Sequence, residues 1–321
     1  MALGAGGASY SPPRAIAALK KRWELLPAVW ASPNDLILAS DTESTSLIKS
    51  LITNKRIEIV GCDAIRGLEV RPEPWGWNLA LRNELARLGV ANLDLPDSRK
   101  LKEWRELAHR KTTLQFHQLW RETFGECLTE FPRVCCLPED ALKAIAKFDG
   151  EACMKLPWSS SGRGIWFTHC LTEAKISDIV RGAIKRQGAV IIEKAERVVF
   201  DFASEWECAN GDSRFIGYSV FQTERAGYSG NLSASQEEIK SIIESAIGCD
   251  AHILVEKQRK VLNKIVAPRY EGPLGVDMFY TDDGRINPCV EINLRRTMGH
   301  AAMSWWEETG IKGLFPTVTG L

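Results

Sequence analysis

Gly-Val-Asp-Met-Phe-Tyr (275–280) and Cys-Val-Glu-Ile-Asn-Leu-Arg-Arg (289–296) are the two stretches that decide the reading of this chain. Between them runs Thr-Asp-Asp-Gly-Arg (281–285), whose Asp-Gly step is a hairpin signal. Alternate residues of a strand face the same way, so Glu291, Asn293 and Arg295 share one face while Val290, Ile292 and Leu294 share the other. The apolar set is expected to face the core. Cross-strand pairing then lays Asp277 beside Glu291, and two carboxylates converge with an amide oxygen. Hard oxygen ligands of that kind suit Mg²⁺ (or Mn²⁺), which fills its remaining positions with phosphate oxygens and water. Arg295, on the same face, can meet phosphate. A merely solvated hairpin has no reason to hold an Asn and an Arg in step with a Glu, and a metal-nucleotide site uses all three.

A second element lies upstream in Cys-Met-Lys-Leu-Pro-Trp-Ser-Ser-Ser-Gly-Arg-Gly-Ile (153–165). Lys155 sits in a short apolar run, and the Ser/Gly loop after it offers backbone N–H groups and hydroxyls to phosphate oxygens. Such a tract alone is more often a surface loop. A Walker A loop puts its Lys after the glycines and a protein kinase puts its Gly-rich loop before the strand Lys; this chain does neither. Next comes Gly-Ala-Val-Ile-Ile-Glu-Lys-Ala-Glu (188–196), a buried-strand pattern ending abruptly in charge, where backbone groups could pair with an adenine edge.

Strand Lys, Ser/Gly loop, Val-Ile-Ile-Glu-Lys hinge, then Asp, then Glu-x-Asn on a late strand: in this order the parts resemble the ATP-grasp superfamily, which includes biotin carboxylase, D-alanine ligase and glutathione synthetase. The resemblance runs from near Ala108 to the end. It implies an α/β fold in which a parallel α/β domain (1–105) precedes a two-lobed module holding ATP between its sheets, the small lobe over 106–190 and the C-terminal lobe over 191–321. It implies ATP contacts from Lys155, from Ser160, Ser161 and Gly162 in the flexible loop, from Glu193, Lys194 and Ala195 at the adenine hinge, and from Asp201 at the ribose. Asp277, Glu291 and Asn293 match the metal ligands, and Arg295 the arginine that stabilises the transferring phosphoryl group or acyl phosphate, with Lys155 as the second catalytic cation. The cation preceding the central domain is Arg110 or Lys111, with Lys111 placed in the ATP-binding set.

The first hundred residues agree with that layout. Leu36–Ala39 and Ile57–Val60 read as strands, with a Thr-capped helix from about Thr45 and another over Asn78–Leu88, an alternation that implies a small parallel α/β domain. The charged helical stretch Asp97–Arg110 marks its boundary. Trp75 and Trp77 in Arg-Pro-Glu-Pro-Trp-Gly-Trp (71–77) read as domain packing, with a rigid substrate wall as the alternative. Arg225, Tyr228 and Asn231, in the Gly-rich loop after Phe221, read equally as ligand contacts or as an ordinary connection. Trp305 and Trp306 are expected to cover the core.

Composition narrows the class further. Lys+Arg and Asp+Glu both total 41, so no basic footprint marks a nucleic-acid partner. Nine cysteines without a C-x-x-C pair point to reduced thiols and a cytoplasmic setting rather than a disulfide framework. No apolar stretch approaches the length of a membrane span, and Gly4, Gly6 and Gly7 lack the strand that a dinucleotide fingerprint needs. His109 and His300 lie near the proposed elements without partners at metal spacing, so no zinc is assigned. The partners expected are a small-molecule or peptide carboxylate and an amine acceptor, and a homodimer is left open. From the resemblance, the chain reads as an ATP-dependent ligase that activates the carboxylate as an acyl phosphate and joins it to the amine. The alternatives are a kinase of the same type acting on an alcohol, and a non-catalytic ATP-binding regulatory protein.

Overall fold

The computed structural model describes residues 14–40, 45–125, 129–159, 164–224 and 227–316, together with Gly7. In chain order it contains α1 (Arg14–Arg22), β1 (Leu36–Leu38), α2 (Ser46–Asn54), β2 (Glu58–Val60), α3 (Leu79–Arg87), α4 (Ser98–Leu107) and α5 (Lys111–Phe124). Then follow β3 (Arg133–Cys135), α6 (Pro138–Ala146), β4 (Ala152–Lys155), β5 (Ile165–Phe167), α7 (Glu173–Gln187) and β6 (Val190–Lys194). The remainder comprises β7 (Val198–Ala209), β8 (Asp212–Glu224), β9 (Gly227–Ser233), α8 (Gln236–Ile247), α9 (Ala251–Ile265), β10 (Gly272–Thr281), β11 (Ile286–Asn293), α10 (Met298–Thr309) and β12 (Gly313–Phe315).

These strands form three sheets. β1 and β2 pair in parallel, as the alternating N-terminal pattern implies. β3-β6-β4-β5 make a small antiparallel sheet, and β11-β10-β7-β8-β9-β12 a large antiparallel one. Side chains supply the helix starts: Asn78 Oδ1 accepts from the Leu81 N–H at 2.8 Å and Ser235 Oγ from the Glu238 N–H at 3.2 Å, filling donors the helix leaves open. Helix α7 stops at Gly188, whose φ of 79° few other residues adopt, and the chain reverses directly into β6.

Alternation along the large sheet separates a packed face from a working one. Leu274, Val276 and Met278 of β10, all without exposure, join Phe202 and Trp206 of β7 in one apolar core. Helices α8 and α9 seal that core through Ile239, Ile243, Val255 and Leu262. Ser204, in step with Phe202 and Trp206, is satisfied within it: its Oγ donates to Gln258 Oε1 and accepts from Trp206 Nε1, both at 2.8 Å. The intervening residues Asp201, Ala203 and Glu205 therefore face the other side.

The cores do not follow the chain in order. Helices α4 and α5 add Trp104, Phe116 and Trp120 to the core of the large sheet, with the Trp104 indole N–H donating to Arg269 O at 2.8 Å. The small sheet closes with α6 and α7 around Met154, Val180, Val190 and Ile192. The two-stranded N-terminal sheet is too small to bury its own face. Its core, Leu26, Val29, Ile37, Ile48 and Leu51, is completed by Ala301 and Trp305 of α10 and Phe315 of β12. No helix among the described residues is long and apolar enough to cross a membrane. Truncating Leu262, which is fully buried in α9, is expected to cost about 2–5 kcal/mol, so Leu262→Ala should lower the chemical denaturation midpoint markedly.

Candidate functional site

The working face of the large sheet, the small sheet and the N-terminal segment together enclose a cavity of about 730 Å³, within the range of small-molecule sites. The C-terminal hairpin forms as its sequence pattern implies. β10 and β11 pair with Asp277 opposite Glu291 and Gly275 opposite Asn293, and a bulge follows Asp277. All three polar side chains and Arg295 line the cavity. Asn293 ties them together: its Nδ2 donates to Asp277 Oδ2 at 2.9 Å, and its Oδ1 accepts from an Arg295 guanidinium nitrogen at 2.9 Å.

Burial, then the neighbouring carboxylates of Glu291 and Glu205, push the Asp277 carboxyl up to about 8, against the pull of Arg295 and Asn293. Glu291 has a cationic partner. The buried Arg110 donates to its Oε2 at 2.9 Å, as well as to Ser159 Oγ at 3.1 Å and Leu156 O at 3.2 Å. Burial disfavours the Arg110 charge, yet Glu291 and Glu193 outweigh it and hold that guanidinium above its ordinary pKa. Lys111 is placed differently. Its ammonium points outward to Glu106 Oε2 at 2.9 Å, and it is not among the residues lining the cavity.

Lys155 is buried on the cavity wall and forms an ion pair with Glu193, also on the wall together with Lys194. Ala195 is not on the wall, and its N–H is engaged in the sheet by Glu151 O at 3.0 Å. Asp201 faces the cavity from β7; its Oδ2 accepts from Thr223 Oγ1 at 2.8 Å, and burial raises its pKa. Ser160, Ser161 and Gly162 lie outside the described residues, as does Arg225. Tyr228 and Asn231 both line the cavity, the phenol donating to Asn231 Oδ1 at 2.5 Å. Trp75 lines it too, while Trp77 packs into the cores beside it and Trp305 is buried at the N-terminal core.

Glu205 is the wall residue that sequence reasoning missed. It is 1% exposed, accepts from Ser219 Oγ and Thr297 Oγ1 at 2.8 Å each, and lies 3.0 Å from His300 Nδ1. Burial works against its charge, but His300 and these hydrogen bonds prevail and lower its pKa. A Cβ at Gly299 would sit 1.9 Å from Glu205 Oε1, so the start of α10 can approach this carboxylate only as glycine. The signal was available in Phe-Asp-Phe-Ala-Ser-Glu-Trp-Glu (200–207), where acidic residues alternate with apolar ones on a single strand. His109 stands apart, edge-on to Trp158 and held to a pKa of about 4 by burial and the nearby Lys111 charge.

The oxygens of Asp277, Glu291 and Asn293 on one wall suit a hard divalent cation. Among the described residues no three His, Cys, Asp or Glu side chains are placed to hold a metal ion, so any such cation depends on Asn293 and on ligand oxygens to complete its shell.

No protein-family profile matches the chain, and no curated protein matches it in sequence. Solved structures do match. The biotin carboxylase–β,γ-ATP complex of Campylobacter jejuni is 13% identical over 82% of this chain and 54% of its own, with a TM-score of 0.50. The N5-carboxyaminoimidazole synthetase of Staphylococcus aureus, complexed with ADP, is 12% identical over 76% and 65% respectively, with a TM-score of 0.49. The D-alanyl-alanine synthetase A of Vibrio cholerae O1 is 15% identical over 86% and 72%, with a TM-score of 0.39. The chain thus spans just under two thirds of the synthetase and about half of the biotin carboxylase. At this identity the likeness shows the fold alone, a mixed α/β fold shared with the biotin carboxylase.

The Asp277 carboxyl gives the protein a pH signature. Between its ordinary value of 3.8 and its folded value of about 8, the native state holds a proton that the unfolded chain has lost, so stability falls as pH rises through that window. In EDTA, Asp277→Asn should remove a slope of up to about 1.4 kcal/mol per pH unit. Urea titrations of both proteins from pH 5 to pH 8 check this; parallel curves would mean that Asp277 is ionised in the native state.

Proposed function

We propose that the protein is an ATP-dependent carboxylate-amine ligase using Mg²⁺ or Mn²⁺. The observation that carries the reading is that the cations Lys155, Arg110 and Arg295 and the oxygen set Asp277, Glu291 and Asn293, drawn from four separated parts of the chain, line a single cavity in this fold. The whole activity is inferred for a chain that spans only part of the length of the solved structures it resembles.

In this reading Asp277, Glu291 and Asn293 hold the metal, which would offset the charge of the β- and γ-phosphates and of the two carboxylates at once. Lys155 and Arg110 bind phosphate oxygens. Arg110 takes the role that the sequence divided between it and Lys111, because its guanidinium lies on the cavity wall. Both cations are held by carboxylates, Glu193 and Glu291, which orient them before nucleotide arrives. The adenine lies at the strand end with Glu193 and Lys194, the Ala195 N–H being engaged elsewhere, and Asp201 meets the ribose. Arg295 stabilises the charge that develops as the γ-phosphoryl group passes to a substrate carboxylate. The acyl phosphate so formed, with ADP as the leaving group, is attacked by the amine; phosphate departs and the nitrogen loses a proton.

Hydroxylamine tests this directly. With Mg²⁺–ATP and pooled amino acids, peptides and small acids, ADP release should be accompanied by a hydroxamate, the trapped acyl phosphate. ADP with a phosphorylated alcohol and no hydroxamate would indicate the kinase alternative, and nucleotide binding with no turnover the regulatory one. Glu291→Gln should reduce turnover by about a hundredfold or more. It should also lower stability, since Arg110 would lose the charge that compensates its burial. Lys155→Met, which keeps most of the side-chain volume, should weaken ATP binding by at least about tenfold in calorimetric titration.

A further inference from the structure

We propose that the substrate carboxylate of this site belongs to an acid with a bulky apolar or aromatic body, seated on a wall formed by Trp30 and Trp75 beside Arg295. The role of Arg295 toward a reacting carboxylate rests on the ligase reading; the apolar wall stands on its own geometry.

The wall is built from three separated segments. Trp23, Leu26, Pro27 and Trp30 come from the N-terminus, Trp75 from the loop before α3, and Met298 from the start of α10. The rings of Trp30 and Trp75 lie 5.7 Å apart with their planes at 57°, a tilted pair rather than a closed stack. Both remain partly exposed and line the cavity, although each also packs against the N-terminal core. Lys20 of α1 also lines this side, but the surface is made mostly of indole, leucine, proline and methionine side chains. It suits an apolar group, and indole faces combine large contact area with little conformational freedom to lose.

The wall joins the phosphate side of the cavity through two consecutive arginines. Arg296 stacks its guanidinium over Trp30, 5.1 Å from the ring centre, and its backbone N–H donates to Trp75 O at 2.8 Å. Arg295, one residue earlier, lines the cavity beside Asn293. Its guanidinium nitrogens reach only neutral oxygens, Asn293 Oδ1 at 2.9 Å and Arg296 O at 3.1 Å, and among the described residues it has no carboxylate ion-pair partner. A cation that among the described residues has no carboxylate in ion-pair contact, directly beside a tryptophan surface, is complementary to a carboxylate on an apolar body. The phosphoryl-accepting oxygen and the recognised body thus belong to one molecule, with Arg295 between the wall and the oxygen set.

Calorimetry on the full chain, alone and with Mg²⁺–ADP, compares indole-3-propionate with propionate. The indole acid should bind at least about tenfold more tightly. Trp75→Ala should remove most of that difference while leaving the ATP affinity close to wild type, measured well below a thermal midpoint that loss of core packing lowers. Trp30→Phe, which keeps a ring, should retain it. Equal binding of the two acids, or a difference that survives Trp75→Ala, would overturn the inference. Preferential indole binding without ADP release or hydroxamate for any acid would uphold the wall and sink the ligase reading.

Discussion

Three carboxylates, those of Asp277, Glu291 and Glu205, stand on one face of neighbouring strands, and much of the cavity wall is organised around keeping them there. Crowding such groups out of water is unfavourable unless each is compensated. Each is handled differently. Glu291 takes the buried Arg110, Glu205 takes two hydroxyls and the His300 ring, and Asp277, whose pKa burial raises to about 8, takes the Asn293 amide. The packed side of the sheet makes this affordable. Leu274, Val276 and Met278 alternate with the site residues along the same strand and bury their side chains completely against α8 and α9. A strand that is oil on one face and charge on the other can be registered in only one way.

That same alternation is why the centre of the site was legible in the sequence. The Asp-Gly turn and the period of two gave the pairing of Asp277 with Glu291, and the structure has that register. Lys155 and Glu193 were legible as polar ends of apolar strands. Their ion pair was not, because it depends on the antiparallel pairing of β4 with β6. Arg110 and Lys111 could not be separated from sequence. They are the N-cap and first residue of α5, where no helical period yet says which side chain turns inward. The engagement of the Ala195 N–H by Glu151 is likewise a cross-strand fact, invisible in a strand-end pattern.

Long-range closure was also hidden. Nothing local indicates that Trp305 and Phe315 complete a core begun by Leu25 and Ile48, or that α4 and α5 join the core of the large sheet. These contacts matter to the site. The N-terminal segment carries Trp30 onto the cavity wall, and α10 brings Thr297, Gly299 and His300 to Glu205. The N-terminal segment and the far end of the chain therefore line one cavity.

If the carboxylate face exists to hold a divalent cation with nucleotide, the affinity for ATP must depend on that cation. Calorimetric titration of ATP into the wild-type protein with Mg²⁺ and then with EDTA measures this most directly. Binding should weaken by at least about tenfold in EDTA, because the phosphates would lose the charge and the coordination bonds that a divalent cation supplies. Equal affinity in the two conditions would contradict the assignment of Asp277, Glu291 and Asn293 as a metal site.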